Sequence, residues 1–308
     1  MKKTSIFLIN LIMIIIILIG GFHLLNLRLF YLDFGEARKE ISFSKLITKY
    51  SNFLDRDISP SATEKMFFSQ ENYRPIENIT SEKKPIALFG CSYVQGCGLE
   101  EDQTFSYKLG VATGRPIYNR ARGSWGVQHT LYQFSNPKLY EIIEEPEYII
   151  YLFFDGLYSR MFASICYTCD QSYLAYYEEK DNQLLLKKRT YISDKVLPLQ
   201  ALKNIIFLNK QNSAKEVDKI EKLMLRHFEE IKKYQNQKWP NSNFIIYFFS
   251  EPNGEDSIKK LEDMGYIALK NEDLNIDPNL PEYKIWDGHP SEKFWDDVVP
   301  IIVKKYNL

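Results

Sequence analysis

The sequence predicts an α/β fold in which a central parallel sheet carries helices on both faces. Three observations predict it: strand-like and helix-like runs alternate from Pro85 to the C-terminus, their lengths suit βαβ units, and the 308-residue chain is 45% hydrophobic and 15% aromatic, enough to bury a large core. The first expected strand, 86–89, is the apolar run Ile86-Ala87-Leu88-Phe89. A helix over 104–112, a short strand over 117–119 and a helix over 127–134 follow, and 148–154 is the next strong strand. The segment 166–197 breaks the pattern, and its part 173–191, interrupted by Asp181-Asn182, reads as a β-hairpin insertion. Val217, Ile220, Met224, Phe228 and Ile231 recur at core spacing in a long amphipathic helix over 213–237. The aromatic-rich run 244–249 is a strand, 259–264 a helix, 266–269 a short strand, and 291–306 a closing helix that Ser291 caps after Pro290.

Upstream, residues 6–27 are almost wholly apolar and long enough to cross a hydrocarbon core of about 30 Å as a helix. Lys2 and Lys3 precede that run, so the positive-inside rule leaves the N-terminus in the cytoplasm and the bulk of the chain outside. The apolar stretch continues through Phe22, Leu24 and Leu25 without a small-residue cleavage pattern, which favours an uncleaved signal anchor. The expected organisation is a single-pass transmembrane anchor over 1–28, a polar connector over 29–84 punctuated by Pro60 and Pro75, and an extracytoplasmic domain over 85–308 with an insertion at about 166–197. The 39 Lys and Arg against 40 Asp and Glu leave no basic stripe for a phosphate backbone, so nucleic acid is set aside as a partner.

Cys91, Cys97, Cys166 and Cys169 suit an oxidising compartment. Cys166 and Cys169 make half a zinc site or a redox dithiol, but there is no second C-x-x-C, so disulfides or free thiols are expected and no metal or cofactor. Cys91 fits either packing beside the strand end or a disulfide to Cys97.

Chemistry concentrates at two distant places. Phe89-Gly90-Cys91-Ser92 puts a serine where the first strand ends, a position that shows a nucleophile to solvent. Near the other end, Asp287-Gly288-His289-Pro290 places a carboxylate and an imidazole two residues apart in a turn-prone loop. A serine hydroxyl attacks an ester only if a base takes its proton, and an imidazole does so when another group fixes its tautomer. Among the four histidines, His23 lies in the apolar N-terminal run, His227 borders the apolar face of the long helix and reads as structural, and His129 has no such carboxylate beside it. Ser92 is therefore the candidate nucleophile, His289 its base and Asp287 the orienter of the base. The plainer alternative makes Ser92 a cap or turn residue and Asp287-Gly288 a simple turn. Arg120, Arg122 and Arg160 flank the same loops and are candidates for an anionic glycan or acyl donor, or else solvated surface residues.

Over about 85–308 the chain resembles the SGNH/GDSL-type hydrolases. Gly90-Cys91-Ser92 matches the family's G-D-S motif with cysteine in place of aspartate, and Asp287-Gly288-His289 matches its D-x-H motif before the last helix. The resemblance implies a flavodoxin-like three-layer α/β/α sandwich and an acyl-enzyme on Ser92, resolved by water or by a sugar hydroxyl. It also implies an oxyanion hole. The block 118–126 resembles the family's glycine block, with Gly123 preferred over Ser124 as the backbone donor, while Phe154-Asp155-Gly156 stands where the family carries an asparagine. Either the Asp155 N–H substitutes, or the donors reduce to Ser92 and Gly123. With an anchored, exported domain, the expected substrates are an acylated glycan, small molecule or lipid ester. The alternative function is a catalytically inactive envelope protein that keeps the fold and binds a glycan or protein partner.

Overall fold

The computed structural model describes residues 67–68, 82–154, 157, 177–181, 183–186, 214–250 and 255–308. All belong to one of two compact units, that formed by Ile58–Ala163, Gln171–Lys188 and Gln211–Leu308. The expected anchor, most of the expected connector, Asp155, Arg160, Cys166 and Cys169 lie outside the described residues. Among the described residues no helix is long and apolar enough to cross a membrane.

Five strands, β1 (Ile86–Phe89), β2 (Ile117–Asn119), β3 (Tyr148–Phe153), β6 (Asn243–Phe248) and β7 (Ile267–Lys270), form one sheet in the order β2-β1-β3-β6-β7, with every pairing parallel. Such strands read as continuous apolar runs because both faces are covered. Alternate side chains sort to opposite faces. Ile86, Leu88, Ile150, Leu152, Ile245 and Tyr247 pack with Phe105 and Leu109 of α2 (Phe105–Thr113) and Phe294, Trp295 and Val298 of α7 (Glu292–Tyr306). On the other face Phe89 and Phe244 meet Phe134 of α3 (Val127–Ser135), and Tyr151 meets Phe228 of α5 (Ala214–Lys238). The result is three layers. Emptying a fully buried site such as that of Trp295 costs about 3–5 kcal/mol.

The chain enters at β1 in the middle of the sheet, steps to β2 on one side, then crosses back to β3 on the other. Crossovers of constant hand therefore place helices on opposite faces and make the loops after β1 and β3 diverge at the carboxyl ends of the strands.

Local signals set the element ends. Thr104 caps α2 by accepting the Tyr107 N–H at 3.3 Å, and Ser291 caps α7 by accepting that of Phe294 at 3.3 Å. The hairpin in the insertion is present as β4 (Tyr177–Lys180) against β5 (Gln183–Leu186), antiparallel, with Asp181 at a positive φ of 51°. Two helices extend the expectations: α6 (Glu255–Asp263) starts a turn earlier than expected, in polar sequence, and α4 (Lys138–Ile142) is too short to show periodicity. Phe67, inside the expected connector, is buried and stacks on Trp125 at 4.6 Å.

Candidate active site

The turn that carries Ser92 is built on Gly90. Its φ of 143° disfavours any side chain, and a Cβ there would stand 3.2 Å from Val94 Cγ2 and 3.3 Å from the Leu152 carbonyl oxygen. Only glycine lets the chain leave β1 this close to β3. Cys91 follows in extended conformation, and Ser92 opens the single turn α1 (Ser92–Gln95) with 8% of its surface exposed. The Ser92 carbonyl accepts the Gly96 and Cys97 N–H groups at 3.0 and 3.1 Å, closing the turn.

Asn119, at the end of β2, ties this turn to the next loop. Its Nδ2 donates to the Val94 carbonyl at 2.9 Å and to Ser106 at 3.2 Å, while its Oδ1 accepts the Ala121 N–H at 3.1 Å. The loop then brings Gly123 beside Ser92: a Cβ on Gly123 would lie 3.8 Å from Ser92 Cβ. In this structure, however, the Gly123 N–H donates to Gln95 Oε1 at 2.6 Å, and the Cys97 thiol donates to the same oxygen at 3.3 Å. Because a backbone N–H only donates, the oxygen end of the Gln95 amide is fixed. The Gly123 donor is spent until Gln95 moves.

Cys91 is wholly buried, as its packing alternative expects, and the Cys97 thiol donates to Gln95.

Asp287 and His289 share a tight hairpin. The Ile285 N–H donates to the His289 carbonyl and the Gly288 N–H to the Ile285 carbonyl, both at 2.9 Å, and Gly288 takes the left-handed φ of 85° that a three-residue loop of this kind requires. A bridge between Lys284 and Pro290, and Ser291 donating to the Glu282 carbonyl at 2.6 Å, hold the hairpin ahead of α7. Asp287 Oδ1 accepts both the His289 N–H at 3.2 Å and ring Nδ1–H at 2.8 Å. A carboxylate acceptor assigns the proton to Nδ1 and leaves Nε2 a bare lone pair. That Nε2 is buried without a hydrogen-bond partner.

Two contacts bring the distant segments into one corner. The His289 ring meets the Tyr93 ring edge-on at 5.1 Å, and Tyr93 is the neighbour of Ser92. Gly98, just after the Ser92 turn, approaches Ile285 so closely that a Cβ would stand 2.4 Å from Ile285 Cδ1. Asp287 and His289 are thus joined, and the Ser92 turn packs against their hairpin, while the hydrogen bond from Ser92 to His289 is not formed. Such bonds are often long in unliganded enzymes and close on the substrate complex.

Arg120 is neither an anion site nor a solvated residue. It is buried, with Nη2 donating to the Phe67 carbonyl at 2.6 Å and Nε to Gln133 Oε1 at 3.4 Å, so its charge is committed to the fold. His129 is wholly buried beside Trp125, its Nδ1 accepting the Gly126 N–H at 3.0 Å. His227 is packed as expected. Sequence reading missed Gln95 and Tyr93, although Gln95 stands three residues after Ser92, on the same face of a helical turn.

Beyond Tyr93, over the carboxyl ends of β3, β6 and β7, lies a cleft of about 630 Å³ whose walls include Tyr93, Phe154, Phe249, Lys270, Asp277 and Gly288. Ser92 and His289 are not among the residues that line it, while their neighbours Tyr93 and Gly288 are.

No protein-family model matches the chain, and no curated protein matches it. Among solved structures, the chain is similar to an acetyl xylan esterase from the rumen bacterium Butyrivibrio proteoclasticus, with TM-score 0.44 and 12% identity over 75% of this chain and 65% of that one. It is also similar to a member of the lipolytic protein G-D-S-L family from Veillonella parvula, with TM-score 0.40 and 10% identity over 72% of this chain and 98% of that one. A family two carbohydrate esterase from Clostridium thermocellum, solved with cellohexaose, gives TM-score 0.40 and 8% identity over 76% of this chain and 66% of that one. At this distance the chemistry of the chain is read from its own residues.

Proposed function

We propose that the chain is a serine-dependent ester hydrolase or O-acyltransferase in which Ser92 is the nucleophile, His289 the base and Asp287 its orienter. The observation that carries this reading is the 2.8 Å bond from His289 Nδ1–H to Asp287, which leaves a bare Nε2 on a ring that packs against Tyr93, the neighbour of Ser92. His289 Nε2 takes the Ser92 Oγ proton as Oγ bonds to the acyl carbon. Collapse of the tetrahedral species expels the alcohol, which leaves with the proton held on Nε2. Water or an acceptor hydroxyl then gives its proton to Nε2 as its oxygen bonds to the acyl carbon, and Ser92 Oγ leaves with that proton, which restores the free serine and the bare Nε2. Negative charge on the carbonyl oxygen is met by the Ser92 N–H and by the Gly123 N–H once Gln95 releases it.

The apolar run 6–27 supports a single-pass anchor with the catalytic domain outside the cytoplasm, which makes an acylated glycan or a lipid ester the natural substrate. A second reading is a binding protein without turnover, favoured by the unformed Ser92–His289 bond and the engaged Gly123 N–H. One experiment separates the two. The full-length chain is treated with a fluorophosphonate probe and assayed on p-nitrophenyl acetate, beside Ser92→Ala. Labelling and hydrolysis that vanish in the folded variant support the enzyme; a well-folded wild type that neither labels nor hydrolyses leaves the binding protein.

A further inference from the structure

We infer that Phe67, upstream in the expected connector, is a positioning residue for the site: it clamps the loop that carries the Gly123 N–H beside Ser92. The inference rests on the serine-esterase reading, in which that N–H meets the charge on the substrate carbonyl.

The Gly123 turn needs holding at both ends. The Trp125 N–H donates to the Arg122 carbonyl at 3.1 Å, which closes a four-residue turn with Gly123 and Ser124 at its centre. Ser124 takes a left-handed φ of 70° in the position where such a turn favours glycine, so the turn is strained. One end is tied to the strand that leads to Ser92. The Arg120 N–H donates to the Leu88 carbonyl at 2.7 Å, and the Arg122 N–H to the Gly90 carbonyl at 3.4 Å. The other end is Trp125, whose place is set by rings.

Phe67, Trp125 and His129 form a cluster of nearly parallel rings, with centroids 4.6 Å apart for Phe67 and Trp125, 5.5 Å for Trp125 and His129, and 6.0 Å for Phe67 and His129. All three are buried. Tyr132 packs on Phe67 at 4.4 Å, and His129 Nδ1 accepts the N–H of Gly126, the residue after Trp125. Phe67 also reaches the first end of the loop through its backbone, where its carbonyl accepts Arg120 Nη2 at 2.6 Å. Arg120 is buried, so withdrawal of that carbonyl would leave its guanidinium short of an acceptor. One connector residue thus grips the loop on both sides of Gly123.

While Gln95 accepts the Gly123 N–H at 2.6 Å, that bond helps to fix the turn. Once Gln95 withdraws, the donor depends on the two ends of its turn, at the moment when charge develops on the substrate oxygen. A donor misplaced by about 1 Å loses about 100-fold in rate. Because that charge exists in the transition state and not in the bound ester, loosening the clamp lowers kcat and spares KM.

The test uses full-length protein and p-nitrophenyl acetate, with Ser92→Ala as the blank. Phe67→Ala is expected to lower kcat about 100-fold with KM within about twofold, and Phe67→Leu, which keeps bulk but no ring, about tenfold. Phe244→Leu, an equally buried ring at the amino end of β6, is the control for lost packing and should keep kcat within about twofold. Hydrogen exchange in residues 120–126 should quicken about tenfold in the Phe67 variants while residues 86–89 keep their protection. If Phe67→Ala does not fold, the two leucine variants decide. Unchanged kcat in a folded Phe67 variant, equal losses in Phe67→Leu and Phe244→Leu, a loss carried by KM alone, or unaltered exchange in 120–126 overturns the inference and leaves the esterase reading intact. A wild type without Ser92-dependent hydrolysis sinks that reading and the positioning role with it.

Discussion

His227 and His289 are built alike up to one atom. Each turns Nδ1 to an oxygen at nearly the same distance, 2.7 Å to the Leu223 carbonyl and 2.8 Å to Asp287 Oδ1, and each keeps Nε2 buried with no hydrogen-bond partner. The difference lies in the oxygen and in what surrounds the ring. His227 leans on a neutral amide, is wholly buried, and faces the Tyr177 ring edge at 5.6 Å; burial pushes its imidazole down to about 4. His289 leans on a carboxylate, and its side chain is 20% exposed beside the Ser92 turn. A proton arriving on Nε2 finds no compensating charge in the first case and Asp287 in the second. On the proposed reading, what sets His289 apart as the base is not the orientation of its ring, which His227 shares, but the counter-charge beside it.

The sharpest way to break this comparison is to remove each ring in turn. His289→Gln is expected to lower kcat/KM for p-nitrophenyl acetate about 10⁴-fold, and His227→Leu to leave it within about threefold. Comparable losses from both, in folded protein, would show that the distinction drawn here is false. Asp287→Asn should approach the His289 loss, because an amide can present its N–H to the ring and favour the wrong tautomer.

Next in size is an effect confined to stability. The folded value of His227 lies below its ordinary 6.5, so above that pH the residue contributes no penalty. As pH falls from 6.5 towards 4, the unfolded chain takes up a proton that the folded chain refuses, and stability declines, by about 3 kcal/mol across the window. Urea unfolding at pH 7 and pH 4.5 should show that decline in the wild type and a smaller one in His227→Leu. An equal decline in both would place the acid sensitivity elsewhere.

The smallest expected effect concerns the donor rather than the base. Gln95 holds the Gly123 N–H with a bond worth about 1 kcal/mol net, so Gln95→Ala should speed fluorophosphonate labelling of Ser92 by about fivefold. Slower labelling would mean that the Gln95 amide assists the reaction instead of guarding the donor.

Several features were legible in the sequence because they are local. Ile86–Phe89, Tyr148–Phe153 and Asn243–Phe248 are continuous apolar runs, and a strand buried on both faces has no other way to be written. The Asp287–His289 bond was legible too, since two residues of separation in a glycine-containing loop bring the side chains together whatever the rest of the chain does. The start of α6 was not, because Glu255-Asp256-Ser257 opens it in polar sequence and its buried residues Ile258 and Leu261 come later. Arg120 looked like a loop cation until the fold laid the Phe67 carbonyl across it, a partner 53 residues away.

By itself, the sequence determined the strand set, the glycine that lets the chain turn after β1, and the carboxylate–imidazole pair. Each depends on backbone preference or on side chains a few residues apart. Tertiary structure alone decided that the Ser92 turn meets the hairpin through Tyr93 and Gly98, that Gln95 occupies the Gly123 donor, and that a cleft opens over β6 and β7. Those are contacts between segments far apart in the chain, set by strand order and by which helices cover which face, and no local pattern of residues encodes them.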